Sequence, residues 1–96
     1  MRLGVTGASG YLGGALVALA NARGLEVVAL GRRAAPGCAQ WRACDLAQAP
    51  PAGLLDGLDA VVHLAAWTGQ GAGVDAAREI AFSVALAQAA ARRGLP

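Results

Sequence analysis

Short continuous apolar runs alternate along the chain with stretches of helical periodicity. Leu3-Gly4-Val5-Thr6 has the length and continuity of a short buried strand. From Tyr11 to Arg23 apolar residues recur three and four apart, which predicts a helix with Leu12, Leu16, Leu19 and Ala20 on one stripe. Gly24 is placed to end that helix. Glu26-Val27-Val28-Ala29-Leu30 predicts a second strand covered on both faces, and Trp41 to Cys44 a short third one. Pro50-Pro51 breaks the chain, after which Leu54, Leu55 and Leu58 predict a partial helix. Asp59 to Ala65 predicts a fourth strand, and a last helix is expected from about Val74 to Arg93.

Apolar strands joined by helical crossovers predict a parallel sheet with helices on both faces, in the doubly wound order 3-2-1-4. One domain accounts for residues 1–96, with no internal repeat. The expected class is α/β, a Rossmann-like doubly wound parallel sheet truncated after the fourth strand and its following helix. In that order the fourth strand lies at an edge, so Val61, Val62 and Leu64 are expected to lack backbone partners and to favour self-association.

Composition narrows the functional classes. The 96 residues are 56% hydrophobic and 15% charged, as in a folded domain rather than a disordered tail. All eight basic residues are scattered arginines, and a net charge of +2 gives no nucleic-acid footprint. No apolar stretch is long enough for a membrane span, and MRLGVTG lacks the features of a signal peptide. Cys38 and Cys44, with His63 far off, do not make a zinc site. A disulfide between them stays open beside the plainer reading of reduced thiols in a cytoplasmic protein.

The candidate chemistry lies in VTGASGYLGG, residues 5–14, where a strand turns into a helix. Glycine is unfavourable in a helix by about 0.8–1 kcal/mol relative to alanine, so Gly7, Gly10 and Gly13 need another reason. Such a turn beneath a phosphate needs a sharp bend, close backbone approach and tight helix–strand packing, and the free N–H groups of the helix start face the anion. The spacing G-x-x-G-x-x-G is one residue longer than the common dinucleotide fingerprint. A Walker-type phosphate loop is excluded, because the chain has no lysine.

Thr6-Gly7-Ala8-Ser9-Gly10-Tyr11-Leu12-Gly13, Asp45-Leu46 after the third strand and His63-Leu64-Ala65-Ala66 ending the fourth occur in an order that resembles one family. It is the short-chain dehydrogenase/reductase superfamily, in its extended, NAD(P)-dependent epimerase/dehydratase branch. The resemblance implies that Asp45-Leu46 touches adenine and that the end of the fourth strand lies beside the ribose and phosphates. The implied cofactor-binding set is Gly7, Ser9, Gly10, Tyr11, Leu12, Gly13, Asp45, Leu46, Leu64, Ala65 and Ala66. Plainer readings stand beside these: Asp45 as a cap for a following helix, His63 as a satisfied core histidine, Tyr11 as a packing residue.

Charge at the end of the second strand adds Arg32. NAD binders place an acid there for the ribose hydroxyls, whereas this strand ends Leu30-Gly31-Arg32-Arg33, with Glu26 at its other end. Arg32, with Arg33 as a second candidate, fits a 2′-phosphate, so NADP is favoured with NAD as the alternative. Relatives also use a Tyr-x-x-x-Lys pair beyond a fifth strand, and many carry an asparagine early in the helix after the fourth, where Glu79-Ile80 stands here. No catalytic residue is therefore assigned. The expectation is the cofactor-binding part of an enzyme acting by hydride transfer on a sugar nucleotide or similar carbonyl or alcohol, inactive by itself. The alternative is a non-catalytic NADP-binding regulatory module of the same fold.

Overall fold

The computed structural model describes residues 1–65 and 76–96. Its elements are β1 (Arg2–Thr6), α1 (Tyr11–Ala22), β2 (Glu26–Gly31), β3 (Gln40–Ala43), β4 (Ala60–His63) and α2 (Ala76–Arg92). The strands form one parallel sheet in the order β3-β2-β1-β4, as expected of helical crossovers. β1 is central, with Gly4 opposite Val28 on one side and Val61 on the other.

Each strand presents alternate residues to opposite faces, so the continuous apolar run of β2 serves two cores. Val27 and Ala29 join Leu3, Val5, Ala8, Val17 and Ala20 on the α1 side. Val28 and Leu30 join Cys44, Leu54, Leu55, Leu58, Phe82 and Leu86 on the α2 side. The result is a three-layer α/β/α arrangement.

Three sequence expectations are corrected. The buried face of α1 is Gly13, Val17 and Ala20, with Leu16 partly buried, while Leu12 and Leu19 are exposed at 66% and 53%. Periodicity marks an apolar stripe, but close approach to the sheet selects its smaller members. Residues 52–57 form successive turns in place of a partial helix. Leu54, Asp56 and Leu58 donate to carbonyls three residues back, and Gly53 and Gly57 take φ of +80° and +72°, which a right-handed helix does not accommodate.

The edge strand is the third correction. Leu64 N–H reaches the Thr6 carbonyl at 3.2 Å, Val62 pairs with Val5, and Val61 N–H donates to the Pro96 carbonyl at 3.2 Å. In a parallel ladder only alternate residues direct their N–H outward, so three near-consecutive residues cannot all be unpaired. Smaller shifts concern boundaries: β3 begins at Gln40, β4 stops at His63, and α2 spans Ala76–Arg92. Residues 74 and 75 of the expected last helix lie outside the described residues.

Candidate dinucleotide cleft

Parallel strands bring all their C-terminal ends to one side of the sheet, and here those ends carry the predicted residues. The chain order reverses between β1 and β4, leaving a crevice at that side. A cleft of about 480 Å³ opens there, lined by Thr6 to Gly13, Ala29 to Arg33, Ala35, Cys44 to Leu46, Leu64 and Ala65. It thus gathers Gly7, Ser9, Gly10, Tyr11, Leu12, Gly13, Arg32, Asp45, Leu46, Leu64 and Ala65 from four separate segments. Ala66 and the loop 68–73, where relatives meet substrate, lie outside the described residues.

The three spaced glycines have different structural reasons. Gly7 has φ +72°, and a Cβ there would lie 2.8 Å from the Ala65 backbone nitrogen, so both conformation and the β4 neighbour require glycine. A Cβ at Gly13 would overlap the Gly7 carbonyl oxygen and stand 2.8 Å from the Ala8 Cα, which makes this the helix–turn packing glycine. Gly10 differs. It has an ordinary extended backbone, φ −80° and ψ −179°, and among the described residues its Cβ would meet only the Gly7 carbonyl, at 3.4 Å. Neither strain nor internal packing asks for glycine at this position.

Gly10 is also the N-cap of α1. Among the described residues no side chain caps this end, and no acid occupies its first turn to compete for its N–H groups. Tyr11, 92% exposed, stands over the cleft and is not a packing residue, because the helix turns its small residues inward.

The other walls are held by specific bonds. Gly31, the last residue of β2, accepts from Trp41 Nε1 at 2.9 Å and from Cys44 N–H at 3.0 Å, fixing the strand end that leads into Arg32. Arg32 and Arg33 line the cleft and have no ion-pair partner among the described residues. Glu26 pairs with Arg2 Nε at 2.6 Å at the opposite end of β2. Asp45 caps a turn rather than a helix: its Oδ1 accepts from Ala47 N–H at 2.9 Å and its carbonyl from Gln48 N–H at 3.0 Å. Cys38 and Cys44 are both free thiols; burial raises the pKa of each, and the Asp45 charge adds to the effect at Cys44.

Thr6 was not singled out by the sequence. Its Oγ1 lies 2.6 Å from His63 Nδ1 and accepts from Leu64 N–H at 3.0 Å and Ala65 N–H at 3.1 Å. Its signals were its place at the head of the Thr6–Gly13 motif, which assigned it no role, and a hydroxyl closing an otherwise apolar strand. Its partners are 57 to 59 residues away and become neighbours only when β4 docks on β1. His63 is satisfied at both ring nitrogens, but the residue is exposed at the strand end rather than sealed in the core. Among the described residues no cluster is arranged to hold a metal, and no helix is long and apolar enough to cross a membrane.

Solved structures with this architecture include MoeE5 in complex with UDP-glucose and NAD, 34% identical over 72% of this chain and 23% of that chain, TM-score 0.59. A Bacillus halodurans protein assigned to the NAD-dependent epimerases/dehydratases is 26% identical over 99% of this chain and 48% of its own, TM-score 0.77. A Burkholderia pseudomallei protein designated as exported is 28% identical over 99% and 44%, TM-score 0.73. The chain therefore spans less than half the length of each. No match is found among curated proteins. The profile of the NAD dependent epimerase/dehydratase family matches residues 3–96, covering the glycine turn, the Asp45-Leu46 turn and the end of β4. This chain belongs to the NAD dependent epimerase/dehydratase family.

Proposed function

We propose that the cleft binds the dinucleotide of an NADP-dependent epimerase, dehydratase or reductase acting on a sugar nucleotide or a similar carbonyl or alcohol. Gly10 carries the reading. Among the described residues its missing side chain serves no conformational or packing need, and it lines the cleft at the uncapped start of α1. Gly7, Ser9, Gly10, Tyr11, Leu12 and Gly13 surround the pyrophosphate, Arg32 the adenosine ribose, Asp45 and Leu46 the adenine, and Leu64, Ala65 and Ala66 the remaining ribose and phosphates. When bound, the nicotinamide supplies hydride exchange with a carbon–oxygen centre. The chain's own residues bind and orient, and none within it is assigned as acid or base.

The choice of NADP rests on charge. Among the described residues Arg32 and Arg33 have no ion-pair partner at the cleft, Glu26 is paired at the far end of its strand, and Asp45 accepts from a backbone amide. The sugar-nucleotide class draws on the UDP-glucose bound by MoeE5. A cytoplasmic site of action agrees with two unbridged thiols.

Calorimetric titration of the full chain tests the reading. NADPH is expected to bind roughly tenfold or more tightly than NADH, as a charge-assisted contact of about 1.5–3 kcal/mol implies. Arg32→Glu removes the preference. Gly10→Val abolishes binding with helical content retained. Equal affinities for the two cofactors would overturn the NADP assignment, and undiminished binding by the valine variant would reduce the glycine turn to a structural turn.

A further inference from the structure

Thr6, His63 and Ser83 form a chain of hydrogen bonds whose proton positions follow from counting. A threonine hydroxyl has one hydrogen and two lone pairs. The N–H groups of Leu64, at 3.0 Å, and Ala65, at 3.1 Å, both donate to Thr6 Oγ1, with Leu64 N–H shared between that oxygen and the Thr6 carbonyl at 3.2 Å. Its hydrogen must then be the one shared with His63 Nδ1 at 2.6 Å, which makes Nδ1 an acceptor. The ring proton is left on Nε2, which donates to Ser83 Oγ at 2.9 Å. Among the described residues this arrangement gives every partner a hydrogen bond.

We propose that His63 is a positioning residue: held as the neutral Nε2–H tautomer, it turns the Thr6 hydroxyl so that this oxygen holds the amides of Leu64 and Ala65, and protonation of His63 releases that hold. An imidazolium would direct Nδ1–H at a hydroxyl whose hydrogen already points the same way. Relieving that conflict turns the hydroxyl away and gives up a backbone amide, or moves the ring off Thr6. The Ala65 backbone lies against Gly7, so the junction between the glycine turn and the end of β4 loosens. The consequence for cofactor binding rests on the dinucleotide reading; the proton switch does not.

The groups around the ring agree. From β1 it meets Thr6, which is uncharged. From α2 it meets Ser83, the Phe82 ring with centroids 5.8 Å apart, and the charge of Glu79. Burial lowers the His63 pKa, and Glu79 opposes it as the smaller influence.

The test is ¹⁵N NMR of the full chain without dinucleotide. Above its titration His63 is expected to show pyrrole-like Nε2 and pyridine-like Nδ1. Amide exchange of Leu64 and Ala65 is then compared with His63→Asn at matched pH, on either side of the His63 midpoint. The asparagine oxygen keeps an acceptor for Thr6 and has nothing to titrate. Below the midpoint the parent's two amides should exchange about two- to tenfold faster than the variant's, and above it equally fast. An Nδ1–H tautomer, or amides indifferent to the His63 titration, overturns the proposal. Tautomer and amide titration are both read on the unsubstituted chain, so they decide the matter even if the variant folds poorly. Failure of dinucleotide binding would show only in the calorimetry.

Discussion

At Gly13 and Gly14 two adjacent glycines of one helix make opposite demands. A Cβ at Gly13 overlaps backbone, whereas one at Gly14 meets no described residue within 4 Å. Gly13→Ala is therefore expected to cost about 3 kcal/mol, at the upper end for overpacking, because backbone cannot yield as a side chain does. Gly14→Ala should stabilise by roughly 0.5–1 kcal/mol through helix propensity. Urea midpoints moving in opposite directions would bear this out; equal midpoints would contradict the assigned packing. His63 makes a second prediction at this scale. Its folded pKa is lowered, so on acidification the unfolded chain takes up the proton first. Its contribution is intact above an unfolded pKa of about 6.5, falls with pH towards the folded value and levels off below it. The difference in urea midpoint between the parent and His63→Asn should follow that course, and a difference independent of pH would refute it.

At the scale of elements, the turns at 52–57 and helix α2 close one core together. Leu54, Leu55 and Leu58 reach it without a helix because successive turns still point them at Phe82 and Leu86. Phe82 is 1% exposed, and Phe82→Ala should cost about 3–5 kcal/mol by leaving a cavity beneath β2 and the turns. The urea midpoint falls while the dependence on denaturant stays the same; a cost below about 1 kcal/mol would mean that this side collapses freely. Apolar character at 54, 55 and 58 indicated burial, and it was met, but the backbone was decided by Gly53 and Gly57 in the left-handed region. On α1 the same reasoning found the helix and mistook its inner face, since Leu12 and Leu19 carry more apolar surface than Gly13 and Ala20 but cannot approach the sheet as closely.

At the scale of the whole molecule, the outer side of β4 is the exposed margin of the sheet. Val61 N–H is covered by the Pro96 carbonyl, and Leu95 packs on the core beside it. The partnering leaves fewer open groups than a bare edge would, yet Leu95 and Pro96 cover one amide rather than pairing along the strand. The 96-residue chain is therefore expected to associate in a concentration-dependent way through this edge, and sedimentation should show a rising weight-average mass. Deleting residues 94–96 should strengthen association by uncovering Val61. A monomer at every concentration, in both forms, would show that the edge is sufficiently blunted.

The sequence by itself determined the strand–helix alternation, the sheet order and the place of the glycine turn, because periodicity, chain reversal and parallel connection are local or topological constraints. It also indicated the cleft residues from Gly7 to Gly13 and at Arg32, Asp45, Leu46, Leu64 and Ala65, since parallel strands must deliver their ends to one side. Only the tertiary structure distinguished the three glycines, whose reasons are distances to Ala65, to the Gly7 carbonyl and to open space. Likewise, Thr6 became the junction of β1 and β4 through partners nearly sixty residues away. Hydrogen bonds saturate and side-chain volumes exclude one another only when distant segments meet, and no local pattern records that meeting.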